Sequence, residues 1–305
     1  MKGLCVDKVA MMIKARRLVK DVDDLPAIPA IVSKVVNMLD DVDADSDAIA
    51  DLMLSDQVLA ARVIRVVNSP LYRPNSEITS VKRALLFLGF RSVREMILTS
   101  YFVGAFKGRE ESFDIKTFWM HSFNVGAIAK CIAGMVGYRD TEKANLVGII
   151  HDIGKVILGH YFKEEYGGML AMISGKPYTT YEAEVEVFGT SHCEVGLCLA
   201  QRWNFPPAYC DIISYHHTSE LATEDPFLTA IVSLADYHSL ASTPASGIVQ
   251  ATMPGRSEES AWNALRQLSS KPLPVDLDGF LLQLADELGK SSREADILFH
   301  SMALE

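Results

Sequence analysis

Along most of the chain, apolar residues recur at three- and four-residue spacing, the period of one helical face. Ile28, Ile31, Val32, Val35, Val36 and Leu39 make one such face; Ala48, Leu52, Leu59, Val63, Ile64 and Val67 supply others. Alternation at period two is scarce, so the pattern predicts an all-α fold. The punctuation agrees. Two prolines in LPAIP at 25–29 precede a predicted helix, DADSD at 43–47 offers N-caps for the next, and NSPLYRPN at 68–75 reads as a loop. Ser80 is placed to cap SVKRALLFLGF, which is expected to stop at Gly89. Ser291-Ser292-Arg293-Glu294 has the Ser-x-x-Glu capping-box pattern and is expected to open a last helix. Composition shifts at KGREES, 107–112, and in a stretch rich in Ser, Ala, Pro and Gly at 239–259. The expected division is an N-terminal helical subdomain at 1–110, a helical subdomain at 111–240, and a short helical C-terminal extension at 241–305.

One stretch breaks the amphipathic rule. LVGIIHDIGKVILGHYF, 146–162, is apolar round nearly its whole circumference, and such a helix is normally buried. It nevertheless carries His151 and Asp152 side by side, with Lys155 one turn later. A buried charge is costly unless it is paired or bound to a metal, so partners must come from elsewhere in the chain.

Composition narrows the function. Hydrophobic residues make up 49% of the 305, enough for a sizeable core. The formal charge of −10 argues against direct, non-specific binding to nucleic acid, which needs a basic footprint. The longest apolar runs, such as 84–90, fall far short of the roughly 20 residues of a membrane-spanning helix. MKGLCVDKVAMMIKARR at the N-terminus does not read as a signal peptide. The five cysteines, Cys5, Cys131, Cys193, Cys198 and Cys210, form no CxxC, so free buried thiols in a reducing cytoplasm are expected.

All eight histidines lie after residue 120. His121 stands in the helical segment TFWMHSFNVGAIAKCIAGMVG. His192 follows Ser191, and Ser191-x-x-Glu194 is a capping-box pattern that puts His192 in a first helical turn. His216 and His217 fall near the end of a helix started by Pro206-Pro207. Asp236 sits in the apolar helix FLTAIVSLADYHSL. Each alone is ordinarily a core histidine or a structural carboxylate. Together, His121, His151, Asp152, His192, His216, His217 and Asp236 are seven nitrogen and oxygen donors on helices long enough to converge. That set suits one or two transition-metal ions, Fe or Mn foremost, with Ni or Zn as alternatives, and Asp152 is able to bridge two of them. It does not suit a closed structural zinc site, which is usually rich in thiolate. A two-metal site with open positions activates water and holds a phosphoryl oxygen. Lys155 would then meet a phosphate as a point charge, which makes Asp152 and Lys155 the candidate catalytic residues.

HDIGK and these histidines resemble the HD superfamily of metal-dependent phosphohydrolases, and residue by residue its HD-GYP branch. The first histidine of that pattern falls on His121, the doublet on His151 and Asp152, and the lysine on Lys155. The lone histidine falls on His192, the pair on His216 and His217, and the closing aspartate on Asp236. The chain departs from HD-GYP after His216-His217, where it reads Thr-Ser-Glu-Leu with no Gly-Tyr-Pro, so the resemblance does not carry cyclic-dinucleotide hydrolysis with it. It departs again at Thr117, where some HD-GYP proteins place a glutamate for a third metal; the resemblance therefore implies two ions. LPAIPAIVSKVVNML, SDQVLAARVIRVVNSPLY, ITSVKRALLFLGFRSVREMIL and HCEVGLCLAQRWNFPPAYCDIISYHH are similar, in order and spacing, to the HDOD domain over about residues 20–240. That resemblance implies an HD-type helical bundle with an N-terminal HDOD subdomain. It also implies a bacterial signal-transduction protein, often non-catalytic, with a regulatory protein as partner.

Two functions stay open at this level. One is a metal-dependent phosphohydrolase acting on a phosphoester or nucleotide; the other is a signalling module whose site binds metal or ligand without turnover. No membrane partner is expected. The N-terminal helix, with Val9, Met12, Ile13, Arg16 and Arg17, either packs on its own domain or mediates a homodimer. The loop 68–74 is a structural turn or a partner surface; Lys82, Arg83, Arg91 and Arg94 are a solvated face or a contact for an acidic partner. His160 is a weak candidate to support the site, and His238 and His300 are expected to be structural or exposed.

Overall fold

Helix starts follow from capping side chains. Asp7 accepts from the backbone N–H groups of Val9 and Ala10 and opens α1, Lys8–Lys20. The computed structural model describes residues 7–22, 25, 28–39, 45–69, 72, 74, 76–105, 114–173, 179–242 and 256–291. Among these there is no strand, and the fold is all-α as the periodicity predicts. Two compact units form. One comprises the described residues of Pro26–Lys107 and Asp286–Glu305, the other those of Met1–Leu25 and Gly108–Ala285.

In the first of these, α2 (Ala30–Leu39), α3 (Ser46–Leu54) and α4 (Gln57–Val67) pack against the long α5 (Val81–Ala105). Val32, Val35 and Leu39 bury the predicted face of α2. On α3 the buried residues are Ile49, Ala50 and Met53, one position on from Ala48 and Leu52. The segment is apolar on both sides of that stripe, so periodicity could not choose between them. Ser80 caps α5, and Gly89 ends regular helix as predicted, at φ 79°. A left-handed φ costs glycine little, and helix resumes at once beyond it. Asn68 closes the 68–78 loop: its amide accepts from Ile78 N–H and donates to the carbonyls of Ile64 and Ile78. Lys82 pairs with Asp47 and Arg94 with Glu95.

The second unit carries the histidines. Its helices are α1, α6 (Ile115–Val136), α7 (Thr141–Ile150), α8 (Ile153–Tyr161), α9 (Lys163–Ile173), α10 (Thr180–Phe188), α11 (His192–Arg202), α12 (Pro207–Tyr215), α13 (Pro226–Ser242), α14 (Arg256–Leu268) and, as far as Ala285, α15 (Leu277–Ser291). α6 packs on α7 and α13, α8 on α11, α11 on α12, and α14 on α13. α1 lies on α11, burying Met11, Ala15 and Val19 and exposing Val9 and Ile13. The apolar stretch 146–162 is two helices: α7 ends at Ile150 and α8 starts at Ile153, so His151 and Asp152 occupy the turn between them. α8 and α11 approach so closely that a Cβ on Gly154 would lie 2.0 Å from the His192 carbonyl oxygen and 2.8 Å from Gly196 N. Tyr138 Oη and Lys143 Nζ both donate to Asp225 Oδ2, at 2.7 and 2.9 Å, tying the α6–α7 corner to the start of α13. The segment after Ser291, including the rest of the predicted capping box, lies outside the described residues, as does His300.

Candidate metal centre

Five elements bring the predicted donors together. α6 supplies His121, the α7–α8 turn His151 and Asp152, the first turn of α11 His192, the end of α12 His216 and His217, and α13 Asp236. The capping box at Ser191 and Glu194 is formed, and it fixes His192 as the first residue of α11. All seven side chains are buried except His217, which is half-buried.

Asp152 is central, and its two oxygens face different histidines. Oδ1 lies 3.2 Å from His192 Nε2 and 3.5 Å from His216 Nε2. Oδ2 lies 3.3 Å from His151 Nε2 and 3.8 Å from His121 Nε2. Asp236 Oδ1 sits 3.1 Å from His121 Nε2 and 3.6 Å from His151 Nε2. His192 Nε2 is 3.3 Å from His216 Nε2 and 3.1 Å from His217 Nε2. One half of the cluster is thus His121, His151 and Asp236, the other His192, His216 and His217, with Asp152 between them.

The histidines are held by their other nitrogens. His151 Nδ1 lies 2.7 Å from the Gly148 carbonyl, and His216 Nδ1 is 3.2 Å from those of Ile212 and Ile213. His121 Nδ1 is 3.2 Å from Ser239 Oγ, which also accepts from Asn124. His192 Nδ1 lies 2.5 Å from Glu184 Oε2, the same oxygen that accepts the His192 backbone N–H. A partner on Nδ1 sets the tautomer and turns the Nε2 lone pair inward, which is how metal-binding imidazoles are oriented.

Electrostatics divide the group. Burial would raise Asp152, but the charges of His151, Lys155 and His192 hold it well below the usual carboxylate range. Burial acts likewise on Asp236, and its contacts with His121 and His151 hold it down. Burial opposes charge on His151, yet Asp152 and Asp236 push it up to about 10. Burial, then the charge of Lys155, drives His192 well below its ordinary value; burial, then His216, does the same to His217. Both are therefore neutral bases. Lys155 Nζ donates to Asp152 Oδ2 at 2.6 Å. Burial pushes Glu184 up to about 8 against Lys155 and the His192 N–H.

The cluster fits a cation. His151 Nε2, Asp152 Oδ1 and Asp236 Oδ1 are buried and make no hydrogen bond among the described residues; their close contacts are not aligned for one. Each such atom costs about 1–3 kcal/mol, which an ion would offset. The Nε2 separations of 3.1 and 3.3 Å match the edge, about 3.3–3.4 Å, of a tetrahedron with bonds of ~2.0–2.1 Å to nitrogen.

Two residues of the cluster escape the sequence pattern. Glu184 lies eight residues before His192 on the buried face of α10, so its only signal is a carboxylate flanked by Ala183 and Val185. Cys193 reads as a core thiol, yet it joins His192, His216 and His217 in one group of mutually close donors. Other expectations fall away from the centre. Thr117 is engaged in the cap of α6, its N–H donating to Asp114. His160, on the last turn of α8, sets its ring edge-on to Tyr161. His238 is half-buried on α13, and burial lowers it. An open groove of about 530 Å³ along α11 and α12, lined by Gln201, Phe205 and Tyr215 among others, shares no residue with the cluster. Its buried carboxylate, Asp211, accepts from the N–H groups of Thr223 and Glu224.

Comparison with known proteins bears on this arrangement. An HDOD domain protein of unknown function from Geobacter sulfurreducens is 32% identical; the match covers 98% of this chain and all of that one, with a TM-score of 0.81. A provisionally described phosphohydrolase from Shewanella amazonensis is 23% identical over 93% of this chain and 98% of its own, with a TM-score of 0.68, and shares the fold. An uncharacterized protein of Treponema pallidum is 23% identical over 206 residues, 67% of this chain; that match spans only 40% of the relative's length. The HDOD family model matches residues 25–219, more than half of the sequence, and the chain belongs to the HDOD domain family.

Proposed function

We propose that this HDOD protein is a metal-dependent phosphohydrolase, its seven-donor cluster holding two ions and acting on a phosphoester or nucleotide. The observation that carries this is the Asp152 carboxylate, whose two oxygens face separate histidine sets. His121, His151 and Asp236 would hold one ion, and His192, His216 and His217 the other, with Asp152 shared. Bound ions would supply Lewis acidity and a water nucleophile at neutral pH. The chain's own residues do the rest. Asp152 and Asp236 balance the positive charge. Nδ1 partners keep four imidazoles from swinging. Lys155 fixes the Asp152 carboxylate and sets a positive charge beside an incoming phosphoryl group. Thr117, in the position of a third-metal glutamate, favours two ions over three.

The test pairs elemental analysis with a substrate panel. Wild type and Asp152→Ala are purified without a chelating tag and assayed on phosphomonoesters, phosphodiesters and nucleotides with added Mn or Fe. Near two equivalents of metal, and turnover that disappears with the metal in Asp152→Ala, are expected. Metal without turnover would overturn the enzyme reading in favour of a signalling module that binds without catalysis. No metal uptake on reconstitution would overturn the site itself.

A further inference from the structure

The two halves of the cluster do not carry the same donors. His121, His151 and Asp236 form a nitrogen–oxygen group, whereas His192, His216 and His217 share theirs with Cys193. One donor atom from each of these four residues lies within 4.8 Å of all the others. Cys193 is 1% exposed and sits in the first turn of α11, directly after His192. Cys131, Cys198 and Cys210 belong to no such group among the described residues.

A buried thiol is ordinarily a small hydrophobe. Its surroundings separate Cys193 from that default. It stands among three imidazoles, two Nε2 pairs of which are already at tetrahedral-edge spacing. Burial and the carboxylates of Glu194, Glu184 and Asp152 hold the Cys193 thiol well above its ordinary value, so an ion, not the helix end, must displace its proton.

We propose that Cys193 is a metal ligand, so that His192, His216, His217 and Cys193 form a nitrogen–sulfur half-site for a thiophilic divalent ion, zinc or ferrous iron. This rests on reading the cluster as a metal centre. On binding, the sulfur–metal bond forms as the S–H bond breaks, and the proton passes to solvent; no electron is transferred. Coordination deprotonates a thiol outright. The consequence is selectivity. Soft sulfur donors prefer zinc and iron, while the histidine–carboxylate half also suits manganese. A centre built this way holds two different ions.

The test is a cobalt(II) titration of the full chain after chelator treatment, under anaerobic conditions, for wild type, Cys193→Ser and Cys193→Ala. Ligand-field absorption reports binding, and a near-ultraviolet sulfur-to-cobalt charge-transfer band reports thiolate coordination. Wild type is expected to show both, and the variants to keep ligand-field bands but lose the charge-transfer band. Affinity in that half should fall by more than the roughly 10–100-fold that loss of an outer hydrogen-bond partner costs. Should neither variant fold, a chain with serine at Cys5, Cys131, Cys198 and Cys210 isolates the remaining thiol, and its charge-transfer band must persist. Ligand-field bands without the charge-transfer band in wild type would overturn the role of Cys193 and leave the metal centre standing. No cobalt binding in any form would overturn the metal centre itself.

Discussion

Gly154→Ala tests how the fold holds the site. The added Cβ would lie 2.0 Å from the His192 carbonyl oxygen, 1.4 Å short of the 3.4 Å at which ordinary contact begins. The atom it meets is helix backbone, so no side chain can swing aside; α8 and α11 must separate. Two effects oppose each other. Alanine in a helix is favoured over glycine by about 1 kcal/mol. Overpacking costs about 1–3 kcal/mol where neighbours can yield, and rigid backbone puts this site at the upper end or beyond. The net expectation is a loss of ~2 kcal/mol or more. Function should suffer further. Asp152 directly precedes α8 and His192 opens α11, so a separation near 1.4 Å would enter the 3.2 Å contact between them. Metal ligation tolerates about 0.2 Å. Urea unfolding and metal stoichiometry are measured together, with Gly168→Ala as control, since nothing lies within 4 Å of a Cβ there. The control is expected to be neutral or stabilised by up to ~1 kcal/mol. A Gly154→Ala protein as stable as wild type and fully loaded with metal would refute the claim that this crossing positions the donors.

Glu184→Gln removes the carboxylate behind His192 while keeping its shape; metal affinity measured by chelator competition should fall about 10–100-fold, and an unchanged affinity would show that His192 is oriented by packing alone. Tyr138→Phe deletes the hydroxyl that donates to Asp225; chemical unfolding should show a loss of about 1–2 kcal/mol with metal content unchanged, and depletion of metal would contradict a purely structural role. In metal-stripped protein, Glu184 and His151 keep their protons up to about 8 and about 10, whereas the unfolded chain releases them near 4.5 and 6.5. Their stabilisation is complete below those unfolded values and is lost as pH rises through the folded ones. The urea midpoint should therefore fall between pH 7 and 9.5; a flat or rising midpoint would mean these groups titrate normally.

Some of this architecture is local enough to be written in the chain. Helix starts at Asp7, Asp45 and Ser191 follow from side chains that satisfy N–H groups two or three residues on. The faces of α2 and α4 follow from period, and His192 in a first turn follows from its capping box. The seven candidate donors could be named from HDIGK and the order of the histidines, which together resemble the HD pattern. Local information fails where neighbours decide. The doublet His151–Asp152 could not be placed in a turn, because 146–162 has no proline and its glycines are not punctuation: Gly154 is there to admit α11. The stripe of α3 was ambiguous because both candidate faces are apolar.

The sequence by itself determined the helical class, the caps, the family and which residues to consider as donors, since these depend on residue type and on spacing within a few turns. Tertiary structure alone decided that Asp152 faces two histidine sets, that Glu184 stands behind His192, and that Cys193 joins one half of the cluster. Those relations join residues from five helices and one turn. Their distances are set by how closely α8 crosses α11 and α12 follows, a matter of packing that no periodicity along one strand of sequence encodes.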